Sequence, residues 1–584
     1  MRQTVLGFRE KRSAEPGLLQ RLREIQDHSG NQSLSEEVLE AVAEDFGVSK
    51  GFVRGVVTFY SMLSENPRGR HIIRVCESPQ CRLAGMSALV AGLKAEIGID
   101  PGETTPDGEF TLEFSSCLGA CAEAPVLQVN DTLYTQVKQE GLPRILAEAR
   151  GADRMSSRRH SPTLLGEPHR LLKDYDQLGS LEEAVSKGAY QGLRRALAGM
   201  TPNEVVSMVK DAGLRGRGGA GFPTARKWEF TRMATGEPRY IVCNADEGEP
   251  GTFKDRVLLE GTPHRIIEGM ILAGYAVGAL EGYIYIRGEY AEAIKQVENA
   301  LKEARRDNYL GERILDSSFS FDIHVHQGAG SYVCGEETSL LESMEGKRGF
   351  PRLRPPYPAS VGLWGKPTVI NNVETLANVP KIVREGVDAY RSVGMETSPG
   401  TKLYPLSGAV VNTGVVEAEM GITLRKLIFE FGGGMAPGSE FMAALVGGAA
   451  GVFLGEDMLD VPLEYDSLAS HGAVLGSGAT LVLDKTCHVA HLLWDILHFF
   501  RHESCGQCAP CRVGTVRLVE IMDRFLIGAG TQEDLDLMLD IAETMKQTSL
   551  CPLGQSPYPM LKSALDHFKD QLLAEETSGG EGQS

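Results

Sequence analysis

Eight of the eleven cysteines fall into two tetrads spaced for iron–sulfur ligation. In SCGQCAPC, Cys505, Cys508 and Cys511 stand at two-residue intervals, and a remote Cys551, followed by Pro552, completes the set. Three thiolates on one short turn plus a distant fourth suit a [4Fe–4S] cubane, whereas four-cysteine zinc sites usually pair two C-x2-C hairpins. Earlier in the chain Cys76 and Cys81 form a C-x4-C pair, and Cys117 and Cys121 a C-x3-C pair. Two separated pairs suit either zinc or [2Fe–2S], and the companion tetrad tips the reading to [2Fe–2S]. The loops SPQCRLAG and LGACAEAP leave backbone N–H groups free for cluster sulfurs. Cys243, Cys334 and Cys487 remain, and read as small buried hydrophobes.

Between the tetrads lies GRGGAG, Gly216–Gly221, a literal G-x-G-x-x-G. A Rossmann fingerprint must follow a strand, but this loop follows a helix: Thr201, Pro202 and Glu204 form a capping box with proline at its first turn, and Gly213 suits its C-terminus. No G-K-[ST] closes the loop, so it is not a Walker loop either. Its glycines allow close backbone approach to a phosphate, with Arg217 and Lys227 supplying charge, while a plain glycine-rich connector is the bland alternative. Downstream come Asn244, Asp246, Glu247 and Glu249, then Gly335, Glu336 and Glu337, then Asn371, Asn372, Glu374 and Thr375. Each cluster can hydrogen-bond ribose, ribityl or ring atoms, and each taken alone is equally a solvated polar turn.

The elements that must position these residues divide 584 residues into several domains, since one core rarely extends past about 250–300 residues. Residues 1–150 read as a helical lead-in followed by an α/β unit with cysteines at strand ends. Leu18, Leu22 and Ile25 share one helix face and Val38, Val42 and Phe46 another, with Ser33 and Glu36 as a capping box before the second; His71–Val75 is a strand running into Cys76. A polar, basic linker is expected over 151–172 and an α/β domain over 173–395, with strands at Tyr240–Val242 and Tyr283–Ile286. Glycine clusters and short Val/Leu runs mark a small β-rich domain over 396–485. Residues 486–572 read as helical, with Leu492, Leu493, Ile496 and Phe500 on one face and Thr531 capping a later helix; a tail over 573–584 is expected to be disordered.

The composition, 42% hydrophobic and 23% charged, is that of an ordinary globular protein, and a formal charge of −19 argues against nucleic acid or anionic membrane as partner. The charged N-terminal stretch lacks the apolar core of a secretory leader, and the apolar run Gly269–Leu280 is too short to span a bilayer, so a cytoplasmic location without membrane insertion is expected. In a reducing compartment the cysteines are metal ligands and buried thiols rather than disulfides.

Taken together, GRGGAGFPTARKW, CNADEGEPGTFKDR, YVCGEETSLLESMEGKRG, INNVETLANV and SCGQCAPCRVGT closely resemble the NADH-binding (51-kDa-type) flavoprotein of complex I and its relatives. The first 150 residues, with YSML, VCESPQC and SSCLGACAEAP, resemble the thioredoxin-like (24-kDa-type) [2Fe–2S] subunit of the same systems. Their fusion looks most like the diaphorase subunit of soluble NAD-reducing [NiFe] hydrogenases; NAD-linked formate dehydrogenases and fused complex I components are the alternatives. The resemblance implies a multidomain α/β protein: a thioredoxin-like [2Fe–2S] domain, a central FMN and NAD domain, a ubiquitin-like β-rich domain and a helical [4Fe–4S] domain. It implies that Gly216, Arg217, Gly218, Lys227, Asn244, Asp246, Glu247, Gly335, Glu336, Asn371, Asn372 and Thr375 hold FMN. Phe222, Phe230, Arg354 and Tyr357 would hold NAD(H), with Glu249 and Glu337 on the nicotinamide and ribose side. The family usually has lysine and phenylalanine at 354 and 357; arginine for lysine is not neutral near phosphates and leaves NAD versus NADP open. The chain has no nickel-type pair of C-x2-C motifs and no molybdopterin region, so an Fe–S electron-transfer subunit and a catalytic module, hydrogenase or formate dehydrogenase, are the expected partners. A non-redox zinc scaffold is the rival from another class, and it leaves the glycine loop and the carboxylate strings unexplained.

Overall fold

The computed structural model describes residues 17–151, 162–167, 170–173 and 180–574. The disordered tail expected at the C-terminus lies outside them from 575 onward, as does most of the basic linker.

The centre is a parallel four-stranded sheet in the order Asp322–Gln327, Glu281–Ile286, Tyr240–Ala245, Thr368–Asn372. Parallel strands are joined by crossover helices and need both faces covered. Strand alternation divides the work. Ile241, Cys243, Ala245, Ile284, Ile286 and Val369 pack on one side with the helices Pro263–Val277, Ala291–Arg306 and Val373–Glu385. Tyr240, Val242, Tyr283, Tyr285 and Ile370 face the other side, where Leu18, Leu22 and Val53 of the N-terminal helices, with Tyr60 just beyond them, cover them. The helical lead-in is therefore a layer of the central sheet. Its helix Glu36–Phe46 is capped by Ser35, whose hydroxyl accepts from the Val38 N–H. The expected cap Ser33 is instead buried, its N–H spent on Ser29 Oγ at 3.0 Å.

The [2Fe–2S]-type unit is a sheet in which His71–Cys76 pairs in parallel with Phe110–Ser115 and antiparallel with Leu127–Val129, itself paired to Thr132–Tyr134. The β-rich layer is six-stranded: Val452–Leu454, Phe441–Val446, Thr480–Asp484, Thr401–Gly408, Gly414–Glu419 and Leu164–Leu165 in that order. Its last strand comes from the segment expected as pure linker, pairing in parallel with Val415 and Val416. The helices Val489–Glu503, Ala509–Leu526, Gln532–Thr548 and Pro557–Ala574 pack into one apolar core with Cys511 and Cys551. Thr531 caps the third of them in a capping box with Asp534. Cys243, Cys334 and Cys487 are all buried. Among the described residues, no helix is long and apolar enough to cross a membrane.

Candidate functional site

The central sheet chooses the site's location. The chain starts at Tyr240–Ala245, moves outward through Glu281–Ile286 to Asp322–Gln327, and then returns to the opposite flank as Thr368–Asn372. In open parallel sheets ligands bind beyond the carboxyl ends of the strands where the order reverses. Asn244, Asp246, Asn371 and Asn372 stand at those two strand ends. Asn244 Nδ2 donates to the Gly335 carbonyl at 2.8 Å, and its Oδ1 accepts from the Asp246 N–H at 3.1 Å. Asn371 Oδ1 accepts from the Trp228 indole at 2.9 Å, and Asn372 Nδ2 donates to Asp255 Oδ2 at 2.6 Å.

The glycine loop closes over these ends. It runs from the helix Pro202–Asp211, capped by Thr201 and Glu204 and followed by Gly213 at φ +69, to the helix Thr224–Met233. The Arg217 N–H donates to Thr375 Oγ1 at 2.8 Å. A Cβ on Gly218 would sit 2.9 Å from the Asn372 Cβ, so glycine is what allows this approach. Beside it, a Cβ on Gly219 would meet open space. Asp246 has a buried Oδ2 without a protein partner, and burial holds its carboxyl well above the usual range. A buried orphan of this kind calls for a ligand hydrogen bond. An open glycine loop, strand-end amides, an orphan carboxyl and the half-buried Lys227 amine fit a phosphorylated flavin.

Three candidate residues are engaged in other ways. Arg217 is fully buried, and its Nη2 donates to the Pro399 carbonyl at 2.8 Å and Tyr390 Oη at 3.2 Å, so the loop offers backbone rather than this guanidinium. Glu247 accepts from the N–H groups of Asp255 at 2.8 Å and Arg256 at 3.0 Å at the start of the helix Lys254–Gly261. Glu336 caps the helix Glu337–Met344, accepting from Thr338 and Ser339 N–H at 2.8 and 2.9 Å.

On the outer side Glu337 lies between Lys227 Nζ at 3.1 Å and Arg354 Nη1 at 3.2 Å. Phe222, Phe230 and Tyr357 are 41%, 43% and 58% exposed, aromatic surface available for stacking, with the Arg226 guanidinium 5.7 Å over the Phe230 ring. Glu249 accepts from Tyr332 Oη and, at 2.7 Å, from the Ala450 N–H of the β-rich layer. Burial pushes its carboxyl up to about 7 against those two hydrogen bonds.

Behind the loop lies a buried ion network. Lys254 Nζ is 2.7 Å from Asp255 and 3.0 Å from Glu374, and Lys402 Nζ is 3.5 Å from Glu374, whose other oxygen accepts from the Leu403 N–H at 2.9 Å. Burial alone would raise Glu374, but Lys402, Lys254 and Arg217 outweigh it and hold the carboxyl below its usual range. Burial pushes Lys402 down to about 7, with Glu374 opposing and Lys254 adding to the shift.

The first tetrad is buried throughout. Cys117 Sγ lies 3.6 Å from Cys121 Sγ, and Cys76 Sγ lies 3.4 Å from Ser78 Oγ. The neighbouring Cys117 and Cys81 favour the Cys76 thiolate while their own thiols are pushed up, so the crowded set resists ionising together. A bound cationic cluster removes that conflict, because ligated thiols are deprotonated outright. N–H groups of Gly119 and Gly251 donate to Cys117 Sγ and Cys121 Sγ, each at 3.4 Å. Arg287 then joins the two units, donating to the carbonyls of Cys117 at 2.6 Å and Glu247 at 2.7 Å.

In the second tetrad Cys511 lies in the first turn of Ala509–Leu526, 3.2 Å from Ser504 Oγ, and Cys551 precedes the short helix Pro552–Gln555. Burial raises Cys551 to about 11, the N–H groups of Leu553 and Gly554 pulling the other way, and the charges of Cys505 and Glu336 both reach it. The Tyr332 N–H donates to Glu503 at 2.9 Å, and its ring packs on Phe499 with centroids 4.9 Å apart. Phe499 shares the core that holds Cys511 and Cys551, which sets this tetrad beside the Tyr332–Gly335 turn of the flavin site. Four cysteine thiols in each tetrad, with backbone N–H groups donating to sulfur in the first, form a donor set that fits iron–sulfur clusters.

Three family models match in chain order: thioredoxin-like [2Fe-2S] ferredoxin over residues 5–150, the Nuo51 FMN-binding domain over 209–381, and the NADH-ubiquinone oxidoreductase-F iron-sulfur binding region over 491–575. The F 2 component of the NADH-quinone oxidoreductase of Rhizobium meliloti (strain 1021) is 48% identical over 387 residues, which is 66% of this chain and 92% of that protein. The chain belongs to the Nuo51 flavoprotein family of NADH-quinone oxidoreductases. As a Nuo51 flavoprotein it is an NADH oxidoreductase component with FMN, [2Fe–2S] and [4Fe–4S] cofactors. Another relative, the NADP-reducing hydrogenase subunit HndC of Solidesulfovibrio fructosivorans, is 47% identical over 396 residues, 68% of this chain and 80% of that one. A crystal structure of NAD+-reducing [NiFe]-hydrogenase in the air-oxidized state superimposes with a TM-score of 0.86 at 32% identity, covering 96% of this chain and 93% of the other.

Several residues that shape this Nuo51-type site are not singled out by sequence reasoning. Lys254 and Asp255 sit inside CNADEGEPGTFKDR, a string that carries the family resemblance, whereas Lys402 and Tyr465 lie in the β-rich region without any motif.

Proposed function

We propose that the chain is the cytoplasmic diaphorase subunit of an NAD-reducing [NiFe] hydrogenase, exchanging hydride with NAD(H) and electrons with partner subunits. The carrying observation is the likeness to the NAD+-reducing [NiFe]-hydrogenase over 96% of this chain, N-terminal unit included, where the Rhizobium meliloti relative aligns with only 66%. Bound FMN supplies the conversion between a two-electron hydride exchange and single-electron transfers. The protein's part is placement. The glycine loop and the amides of Asn244, Asn371 and Asn372 hold and orient the flavin. Phe222, Phe230 and Tyr357 stack the adenine, and Lys227, Arg354, Glu337 and Glu249 orient the ribose and nicotinamide against the ring. Cys505, Cys508, Cys511 and Cys551 hold the [4Fe–4S] cluster on the Tyr332 side, and Cys76, Cys81, Cys117 and Cys121 the [2Fe–2S] cluster on the Gly251 side.

The deciding experiment purifies the native complex anaerobically through a tag on this chain and measures nickel, molybdenum and tungsten together with H2- and formate-dependent NAD+ reduction. Nickel with H2-driven activity is expected. Molybdenum or tungsten with formate-driven activity would replace the hydrogenase assignment by a formate dehydrogenase.

Glu249 gives the site a pH signature. Raised to about 7 by burial, it gains negative charge between pH 6 and 8. Negative charge beside the nicotinamide favours the cationic ring of NAD+ over the uncharged ring of NADH by about tenfold, the effect of one charge roughly 10 Å away at an effective dielectric near 20. The ratio of NAD+ to NADH dissociation constants should therefore fall as pH rises through 7, and Glu249→Gln should flatten it. An unchanged slope in that variant would remove Glu249 from the nicotinamide side.

A further inference from the structure

Two successive carbonyls of the glycine loop are tied to the β-rich layer. Tyr465, which opens the helix Tyr465–Ser470, donates its Oη to the Gly216 carbonyl at 2.7 Å. Lys402, in the strand Thr401–Gly408, donates Nζ to the Arg217 carbonyl at 3.3 Å. Both side chains are buried. Arg215 secures the approach: its Nε closes the loop on the Gly221 carbonyl at 2.9 Å, its Nη1 reaches Asp466 Oδ2 at 2.9 Å, and its guanidinium lies 4.6 Å over the Tyr465 ring. Packing leaves no slack, since a Cβ on Gly221 would fall 2.7 Å from that ring.

Peptide geometry turns these ties into an orientation. A trans peptide points its N–H opposite to its carbonyl. Holding the Arg217 carbonyl against Lys402 therefore turns the Gly218 N–H the other way, on the stretch of loop where Gly219 borders open space. Amides fixed in that sense make an anion-binding concavity, and fixing them beforehand removes an ordering cost from binding.

We propose that Tyr465 and Lys402 are positioning residues of the flavin site, through which the β-rich layer holds the glycine loop by its carbonyls: Tyr465 fixes the Gly216–Arg217 peptide, whose N–H Thr375 holds on its other side, and Lys402 turns the next N–H, that of Gly218, toward the FMN phosphate. This rests on the flavin reading of the loop. It gives the β-rich layer a function in cofactor selection.

The test compares two ligands that differ only in the phosphate. Full-length Tyr465→Phe, Lys402→Met and Lys402→Arg chains, in complex with their partner subunits, are freed of flavin and titrated with FMN and with riboflavin. The reduced [4Fe–4S] EPR signal serves as the check on folding. Tyr465→Phe and Lys402→Met should each weaken FMN by up to about tenfold, the worth of one hydrogen bond. Riboflavin binding should hardly change, and Lys402→Arg should recover part of the FMN preference. General damage to the fold would weaken both ligands alike and would overturn the proposal, as would variants with unchanged affinity. Where Lys402→Met loses flavin and cluster signal together, the near-isosteric Tyr465→Phe decides. Wild-type protein binding both flavins equally would also overturn the proposal while leaving the flavin chemistry standing. Wild-type protein that bound neither would instead defeat the flavin reading.

Discussion

Cys551→Ser is expected to abolish the [4Fe–4S] EPR signal seen on reduction with NADH and to cut electron delivery to the partner subunits by more than about 100-fold, beyond the ~10–100-fold that loss of an outer-shell partner costs. Cys505, Cys508 and Cys511 lie within one turn and its following helix, whereas Cys551 arrives from a separate helix start and is the proposed ligand that closes the cage. Serine fills nearly the same space, so the apolar core around Leu518, Met522, Met545 and Leu553 should survive. The flavin lies upstream of the loss, so NADH should still bleach it, and an artificial acceptor that takes electrons directly from the flavin should still be reduced. That split between two acceptors separates a broken exit from a broken fold. Retention of an unaltered [4Fe–4S] signal would remove Cys551 from the ligand set.

Why the cysteines are legible and other parts are not is a matter of range. A cluster motif is written in local spacing, because one turn must present three thiolates, and Cys505, Cys508 and Cys511 declare it in seven residues. Asn244 is legible for a similar reason, since it follows the strand expected at Tyr240–Val242, whereas the polar run at Asn371 does not announce the strand Thr368–Asn372 that carries it. Side-chain direction is not local. Arg217 suggests a phosphate contact by its type and its place in a glycine loop, yet tertiary packing carries its guanidinium to Pro399 and Tyr390. The tie from Lys402 to the loop spans 185 residues and that from Tyr465 spans 249, so no window of sequence contains either pair. Between Ser33 and Ser35 the choice of cap is a two-residue matter that periodicity does not settle. The N-terminal helices show their apolar faces plainly, but that those faces cover Tyr240, Val242 and Tyr285 of the central sheet follows only from the assembled layers.

Glu374→Leu should be the most damaging single change outside the clusters. This carboxylate has no exposed surface and sits between Lys254 at 3.0 Å and Lys402 at 3.5 Å, while also accepting the Leu403 N–H. Leucine approximates the volume but leaves buried cations short of a partner, a loss of about 3–5 kcal/mol. At about 2–4 °C per kcal/mol in a unit of 150–250 residues, the thermal midpoint read by flavin release should fall by about 6–20 °C. The deficit falls unequally on the two lysines. Lys254 keeps Asp255 at 2.7 Å, whereas Lys402 has Glu374 as its ion-pair partner and is already pushed down to about 7 by burial. Losing the carboxylate lets Lys402 shed its proton at moderate pH, so the damage should be greatest below pH 7 and lessen above it. Adding Lys402→Met to Glu374→Leu should then recover part of the midpoint, a coupling that independent sites do not show. A Glu374→Leu midpoint within about 2 °C of wild type, worth less than about 1 kcal/mol, would mean that the network is a bystander to stability. Additive losses in the double variant would instead deny that Glu374 is the partner that keeps Lys402 charged beneath the glycine loop.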